Sequence, residues 1–97
     1  MDLQQEYKLV ELAKTKNRDA FGELYEEYYE RILHYVLHRT ANVQIAEDIT
    51  SNVFFKVLTK IEHFRWNGLP FSAWLYRIAS NEIANYYRKH NHLKSSQ

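Results

Sequence analysis

The 97 residues are 45% hydrophobic and 26% charged, with two Gly and one Pro, which suits one globular domain able to bury roughly two-thirds of its surface. The lack of Cys excludes disulfides and cysteine-ligated zinc and suits a reducing cytoplasm; no apolar run is long enough to span a membrane, and "MDLQQE" lacks the basic-then-apolar order of a signal peptide. The net charge of +1 conceals unlike halves: residues 1–48 carry six Lys/Arg against ten Asp/Glu, and residues 49–97 carry seven against two, so the second half is a candidate for meeting phosphate unless the imbalance is only a solvated surface.

The chain reads as helix throughout. Leu3 to Lys16 places Leu3, Tyr7, Val10 and Ala13 at helical spacing and predicts a short amphipathic first helix. Asn17 or Asp19 can cap the next helix by accepting a free backbone N–H. From Ala20 to about Arg39, the residues Phe21, Leu24, Tyr25, Tyr28, Ile32, Tyr35 and Val36 recur at steps of three and four. Asn42 can cap a third helix that runs to about Glu62, with Ala46, Ile49, Val53, Val57 and Ile61 as its buried stripe. "EHFRWNGLPF" interrupts the pattern: Asn67-Gly68 marks a turn, and Pro70 suits the first turn of a helix, where no backbone N–H is needed. A fourth helix follows, with Phe71, Leu75, Ile78, Ala79, Ile83 and Tyr86 on one side, and is expected to fray near Asn91. The predicted fold is all-α, a small bundle of about four helices over residues 1–90, with 91–97 a frayed tail.

Catalysis is not indicated. His34 and His38 stand one turn apart with Glu30 a turn earlier, a spacing that can hold zinc, but nothing else completes a ligand set and no metal site is assigned. Glu26, Glu27 and Glu30 read as the wet face of the second helix. Gly22 and Gly68 stand alone, so there is no phosphate-cradling loop, and no cofactor is implied.

Two faces look like docking surfaces. Opposite the buried stripe of the third helix lie Asp48, Ser51, Asn52 and Thr59 with Phe55 in their midst, an apolar anchor inside a polar ring, unless Phe55 packs under the first helix or is a singly exposed apolar residue. On the fourth helix Arg77, Asn81, Asn85 and Arg88 share an arc of about 80° in which Trp74 also falls, and "HFRWNG" adds Phe64, Arg65, Trp66 and Asn67 just before it. Rings interleaved with cations and amides suit exposed nucleobases: a base stacks on a ring, an amide bonds its edge, and a guanidinium meets phosphate. The competing expectation is that Trp74 buries against the third helix.

"DAFGELYEEYYERILHYVL", "AEDITSNVFFKVL" and "FSAWLYRIASNEIANYYRK" together resemble region 2 of extracytoplasmic-function sigma factors of the sigma-70 family, the bacterial subunits that direct RNA polymerase to promoters. The resemblance covers about Tyr7 to Lys89. It implies a non-enzymatic protein of the cytoplasm that binds RNA polymerase core at the clamp helices of the beta-prime subunit through Asp48, Ser51, Asn52 and Phe55. It also implies promoter DNA, mainly the non-template strand of the minus-ten element, as partner of Phe64, Arg65, Trp66, Asn67, Trp74, Arg77, Ser80, Asn81, Asn85, Arg88 and Lys89. An anti-sigma factor is a further candidate partner. Two departures stand out: Ser51-Asn52 where the family often has Gln-Glu, and Ala79-Ser80-Asn81 followed by Asn85 where it often has Ala-Arg-Asn followed by Asp. Nothing in the chain corresponds to the second helical domain by which such factors read the minus-thirty-five element, so binding to DNA by this chain alone is expected to be weak. The alternative function is a protein-only helical adaptor in which both aromatic patches meet other proteins.

Overall fold

The computed structural model describes the backbone of residues 1–95 and the side chains of residues 1–90. Four helices in chain order, α1 (Leu3–Lys14), α2 (Arg18–Thr40), α3 (Val43–Lys60) and α4 (Phe71–Ser95), form the bundle, with a single turn of 3-10 helix at Ile61–His63 closing α3. The expected all-α architecture is thus the observed one. Three of the helices start at a side-chain cap: Asp2 Oδ1 accepts from Gln5 N–H at 2.8 Å, Asn17 Oδ1 from Ala20 N–H at 2.9 Å, and Asn42 Oδ1 from Ile45 N–H at 3.0 Å. Each satisfies one of the backbone donors that a helix start leaves without a partner. Of the two caps proposed for α2, Asn17 is the one used.

The core lies where the four apolar stripes meet, and Val10, Ile32, Val36, Val53, Val57, Phe71 and Leu75 are sealed inside it. The α3 stripe is as expected, with Ala46, Ile49, Val53, Val57 and Ile61 all buried, and it is wider than expected by Thr50 and Phe54. Phe54 is held by the rings of Tyr25 and Tyr29, at 4.9 and 6.0 Å between centroids. On α4, Phe71, Leu75, Ile78, Ala79 and Ile83 are buried and Tyr86 is half-buried.

The first helix departs from expectation. It ends at Lys14 rather than Lys16, because the chain reverses there with Lys16 at φ 68°. Leu3 and Tyr7 are 74% and 55% exposed, and the buried face is Glu6, Leu9, Val10 and Ala13. A carboxylate at 6% exposure requires partners, and Glu6 has two. The Tyr28 hydroxyl donates to its Oε2, and Phe71 N–H donates to its Oε1 at 3.2 Å. Phe71 is the first residue of α4, so a side chain of α1 caps α4, and its negative charge sits at the positive end of that helix. Burial pushes the Tyr28 phenol well above its ordinary range, and the Glu6 carboxylate beside it pushes further in the same direction.

Pro70 stands immediately before α4 rather than inside its first turn, and its carbonyl accepts from Ala73 N–H at 3.0 Å. Helical backbone continues beyond Asn91, where fraying was expected, to Ser95; backbone hydrogen bonds along one strand of helix require no apolar face. The rest of the expected tail, residues 96–97, lies outside the described residues. Among those described, no helix is long and apolar enough to cross a membrane.

Candidate nucleic-acid interface

The loop from Phe64 to Pro70 decides the shape of this surface. It leaves the 3-10 turn, reverses at Asn67 and Gly68 with φ of 48° and 77°, and is pinned by Leu69 N–H to the Trp66 carbonyl at 2.8 Å. A left-handed pair of residues is what Asn-Gly supplies with least strain. The loop then hands the chain to α4, whose first turn presents Trp74 one helical step above Phe71.

Four rings pack where loop and helix meet. Phe64 touches Trp66 edge-on at 4.9 Å between centroids, Phe71 at 5.5 Å, and Trp74 at 4.9 Å in a tilted arrangement. Phe64 is 5% exposed, so it is the floor of the site and not an open stacking platform. Trp66 and Trp74 are both half-buried, each with an edge in the cluster and the remainder at the surface. Neither of the simple expectations for Trp74 holds: it is not laid wholly among the polar groups, and it is not sealed under α3. It lies on the rim of the core, beside Phe64 and Phe71.

Over this floor opens a pocket of about 100 Å³, lined by Phe64, Arg65, Trp66, Asn67, Leu69, Pro70, Ala73, Trp74 and Arg77. On its other side an open trough of about 520 Å³ is lined by Lys60, His63, Phe64, Arg65, Asn67, Trp74 and Arg77. The five residues common to both make a single concavity with an aromatic floor and a cationic rim. Lys60 and His63 were not anticipated. They precede the interruption in the sequence and reach the site only because the 3-10 turn brings the end of α3 against α4, so a Lys and a His just before the loop were the sole signal.

The expected DNA-facing residues therefore fall into two groups. Phe64, Arg65, Trp66, Asn67, Trp74 and Arg77 converge at the pocket. Asn81, Asn85, Arg88 and Lys89 are exposed farther along α4, and Ser80 is half-buried. Arg88 lies eleven residues beyond Arg77, about 16 Å along the helix axis, on nearly the same side. Asn85 is not free to turn: its Nδ2 donates to Glu82 Oε2 at 3.2 Å, and its Oδ1 accepts from Arg88 Nη2. Glu82 is itself buried and meets Lys56 of α3 at 2.5 Å. The amide thus orients the Arg88 guanidinium, an arrangement in which an Asp at that position would stand against the Glu82 carboxylate.

The α3 surface is separate. Asp48, Ser51, Asn52 and Phe55 are all exposed and lie within about 100° of helical arc. Phe55 is 65% exposed, which removes the alternative that it packs under the first helix. Leu58, one turn from Phe55 and 53% exposed, enlarges the apolar part of this surface beyond what periodicity suggested. At the other candidate, His34 and His38, Glu30 Oε2 approaches His34 Nε2 at 3.7 Å, and among the described residues no group of three His, Cys, Asp or Glu converges as a metal site would require.

Comparison with known proteins bears directly on this geometry. A curated relative, the ECF RNA polymerase sigma factor BldN of Streptomyces coelicolor, is 39% identical over 80 residues, covering 82% of this chain and 30% of that protein. The RNA polymerase sigma factor YlaC of Bacillus subtilis is 36% identical over 74 residues, 76% of this chain and 42% of its own length. The ECF RNA polymerase sigma factor SigW of the same species is 34% identical over 82 residues, 84% of this chain and 43% of its own length. The chain thus spans less than half the length of each of these relatives. The family model for Sigma-70 region 2 matches residues 24–93, which include α2 from Leu24 onward, α3, the loop and the described side chains of α4. The chain belongs to the sigma-70 region 2 family, in its extracytoplasmic-function branch.

Proposed function

We propose that this chain is the promoter-recognition domain of a bacterial sigma factor, which docks on RNA polymerase core and captures unpaired bases of the minus-ten element. The observation that carries the reading is the concavity at the loop, where Trp66 and Trp74 stand over Phe64 with Lys60, Arg65 and Arg77 around them. Opening a base pair costs a few kcal/mol. A base that stacks on an aromatic side chain recovers on the order of 1–3 kcal/mol, and cations on the rim hold the adjoining phosphates. One or two captured bases therefore offset the cost of opening, so melting proceeds by trapping what thermal motion releases. Asn81 and Arg88 extend the contact along α4, with Asn85 holding Arg88 in position.

The exposed α3 surface with Phe55 at its centre serves the polymerase, where the proposed partner is the clamp-helix coiled coil of the beta-prime subunit. Shortening Gln-Glu to Ser51-Asn52 leaves Phe55 and its apolar neighbour Leu58 to supply more of that contact. The two surfaces lie on different sides of α3, since Lys56 turns toward Glu82 of α4 while Phe55 faces solvent. A protein that bridges polymerase and DNA needs that separation.

The test is tryptophan fluorescence of the chain bound to core polymerase, titrated with a single-stranded non-template promoter oligonucleotide at two salt concentrations. Quenching that weakens at the higher salt is expected. No response at low salt would reject the reading.

A further inference from the structure

The family match begins at residue 24, so α1 lies outside it. Yet α1 holds the base-capture loop at two points. Tyr7 stacks on Trp66, with ring centroids 5.3 Å apart and planes 29° from parallel. One turn on, Glu11 Oε2 accepts the Trp66 indole N–H at 3.1 Å. At the end of the loop Glu6 accepts Phe71 N–H. Tyr7 contributes little to the core, being 55% exposed, and Glu11 is half-buried. An exposed ring and a carboxylate spaced i, i+4, both engaging one indole, fix its tilt and its position along the loop.

We infer that Tyr7 and Glu11 are positioning residues for base capture: they lock Trp66 into the orientation that makes it a wall of the pocket. This rests on the proposed function above. The loop has few other restraints of its own, since its reversal depends on Asn67 and Gly68, whose backbones adopt conformations reached at little cost in either direction. Without the α1 clamp, the Trp66 ring would lose its stacking partner and its hydrogen-bond acceptor and keep the Phe64 edge and the backbone tie to Leu69, which leaves the tilt of the indole free and the pocket with a movable wall.

The experiment compares binding of two oligonucleotides to the chain assembled on core polymerase, one an intact non-template strand and the other abasic at single minus-ten positions. Wild type should prefer the intact strand at one position at least. Tyr7→Ala and Glu11→Ala should each reduce that preference about threefold to tenfold, the range that loss of one aromatic pair or one charge-assisted hydrogen bond produces. They should leave binding to the abasic strand and to polymerase unchanged. Tyr7→Phe keeps the ring and Glu11→Gln keeps an acceptor, so both should retain most of the preference, which a loss of overall stability would not restore selectively. If wild type prefers the intact strand and both alanine variants prefer it equally, the clamp does not position the pocket and the inference falls while the proposed function stands. If wild type shows no preference at any position, the proposed function falls and the inference with it.

Discussion

Replacing Glu6 removes a side chain that joins α1, α2 and the start of α4, and the size of the effect follows from what is left behind. Glu6→Ala leaves the Tyr28 hydroxyl and Phe71 N–H without their acceptor in a buried place. Each abandoned buried donor costs about 1–3 kcal/mol, and loss of a negative charge at a helix start costs about 0.3–1 kcal/mol more. Against this, the carboxylate no longer has to be desolvated, which returns several kcal/mol in a fully dry site and less where hydrogen bonds already compensate it. A net loss of about 2–4 kcal/mol is expected from those opposing contributions. Glu6→Gln keeps one acceptor and should cost about half as much. Urea unfolding followed by far-UV circular dichroism reads the change, provided the slope with denaturant stays constant across variants. A double-mutant cycle with Tyr28→Phe isolates the pair, with a coupling of about 1.5–3 kcal/mol expected for a buried hydrogen bond to a charged group. A Glu6→Ala variant within about 0.5 kcal/mol of wild type, the scatter of ordinary surface substitutions, would show that the buried acid is merely tolerated, and zero coupling to Tyr28 would refute the bridging argument.

Other outcomes follow from single positions. Thr50 Oγ1 is fully buried without a hydrogen-bond partner among the described residues, so Thr50→Val should raise stability by about 1 kcal/mol in the same urea assay; a loss instead would mean that the hydroxyl is satisfied. Because the phenol of Tyr28 is raised in the folded state, the unfolded chain gives up that proton first as pH climbs past the ordinary tyrosine value of 10.0. The folded chain then binds more protons than the unfolded one, so the stability that Tyr28 contributes is fully present below that pH and declines above it, by up to about 1.4 kcal/mol per pH unit. Tyr28→Phe should be less stable at neutral pH but show a shallower alkaline decline in a thermal-melt series from pH 8 to 11. Phe55→Ala should leave melting temperature within a degree or two and reduce capture of core polymerase in a pull-down at least tenfold, in line with loss of a central aromatic anchor; equal capture would move the contact off α3.

Periodicity read the interior of α3 and α4 well because both helices bury a continuous apolar stripe against two neighbours. It failed on α1 for a physical reason. Hydropathy sorts residues by type, and the face that α1 buries begins with an acid whose partners, Tyr28 and Phe71, are 22 and 65 residues away. Nothing local marks Glu6 as interior except its place one turn before Leu9 and Val10. Tyr7 falls among the apolar positions of the α1 period, yet it covers Trp66, a contact that no pattern within α1 encodes. The loop residues were legible as a site because Trp, Arg and Asn crowd into one short interruption. Their depth was not, since Phe64 and Trp66 differ in burial only through the way the 3-10 turn swings one ring inward. Asn85 shows a further limit: its side chain looked available for a base, and only the structure reveals that Glu82 and Arg88 occupy both ends of its amide.

Entry of unpaired bases into the concavity beside Trp74 is the central proposal, and 2-aminopurine placed singly along the non-template minus-ten strand measures it directly in the complex with core polymerase. One position should lose emission on binding as its base stacks against the rings, and Trp74→Ala should restore that emission while the complex still assembles. Uniform emission at every position, or a quenched position that is indifferent to Trp74→Ala, would contradict the account.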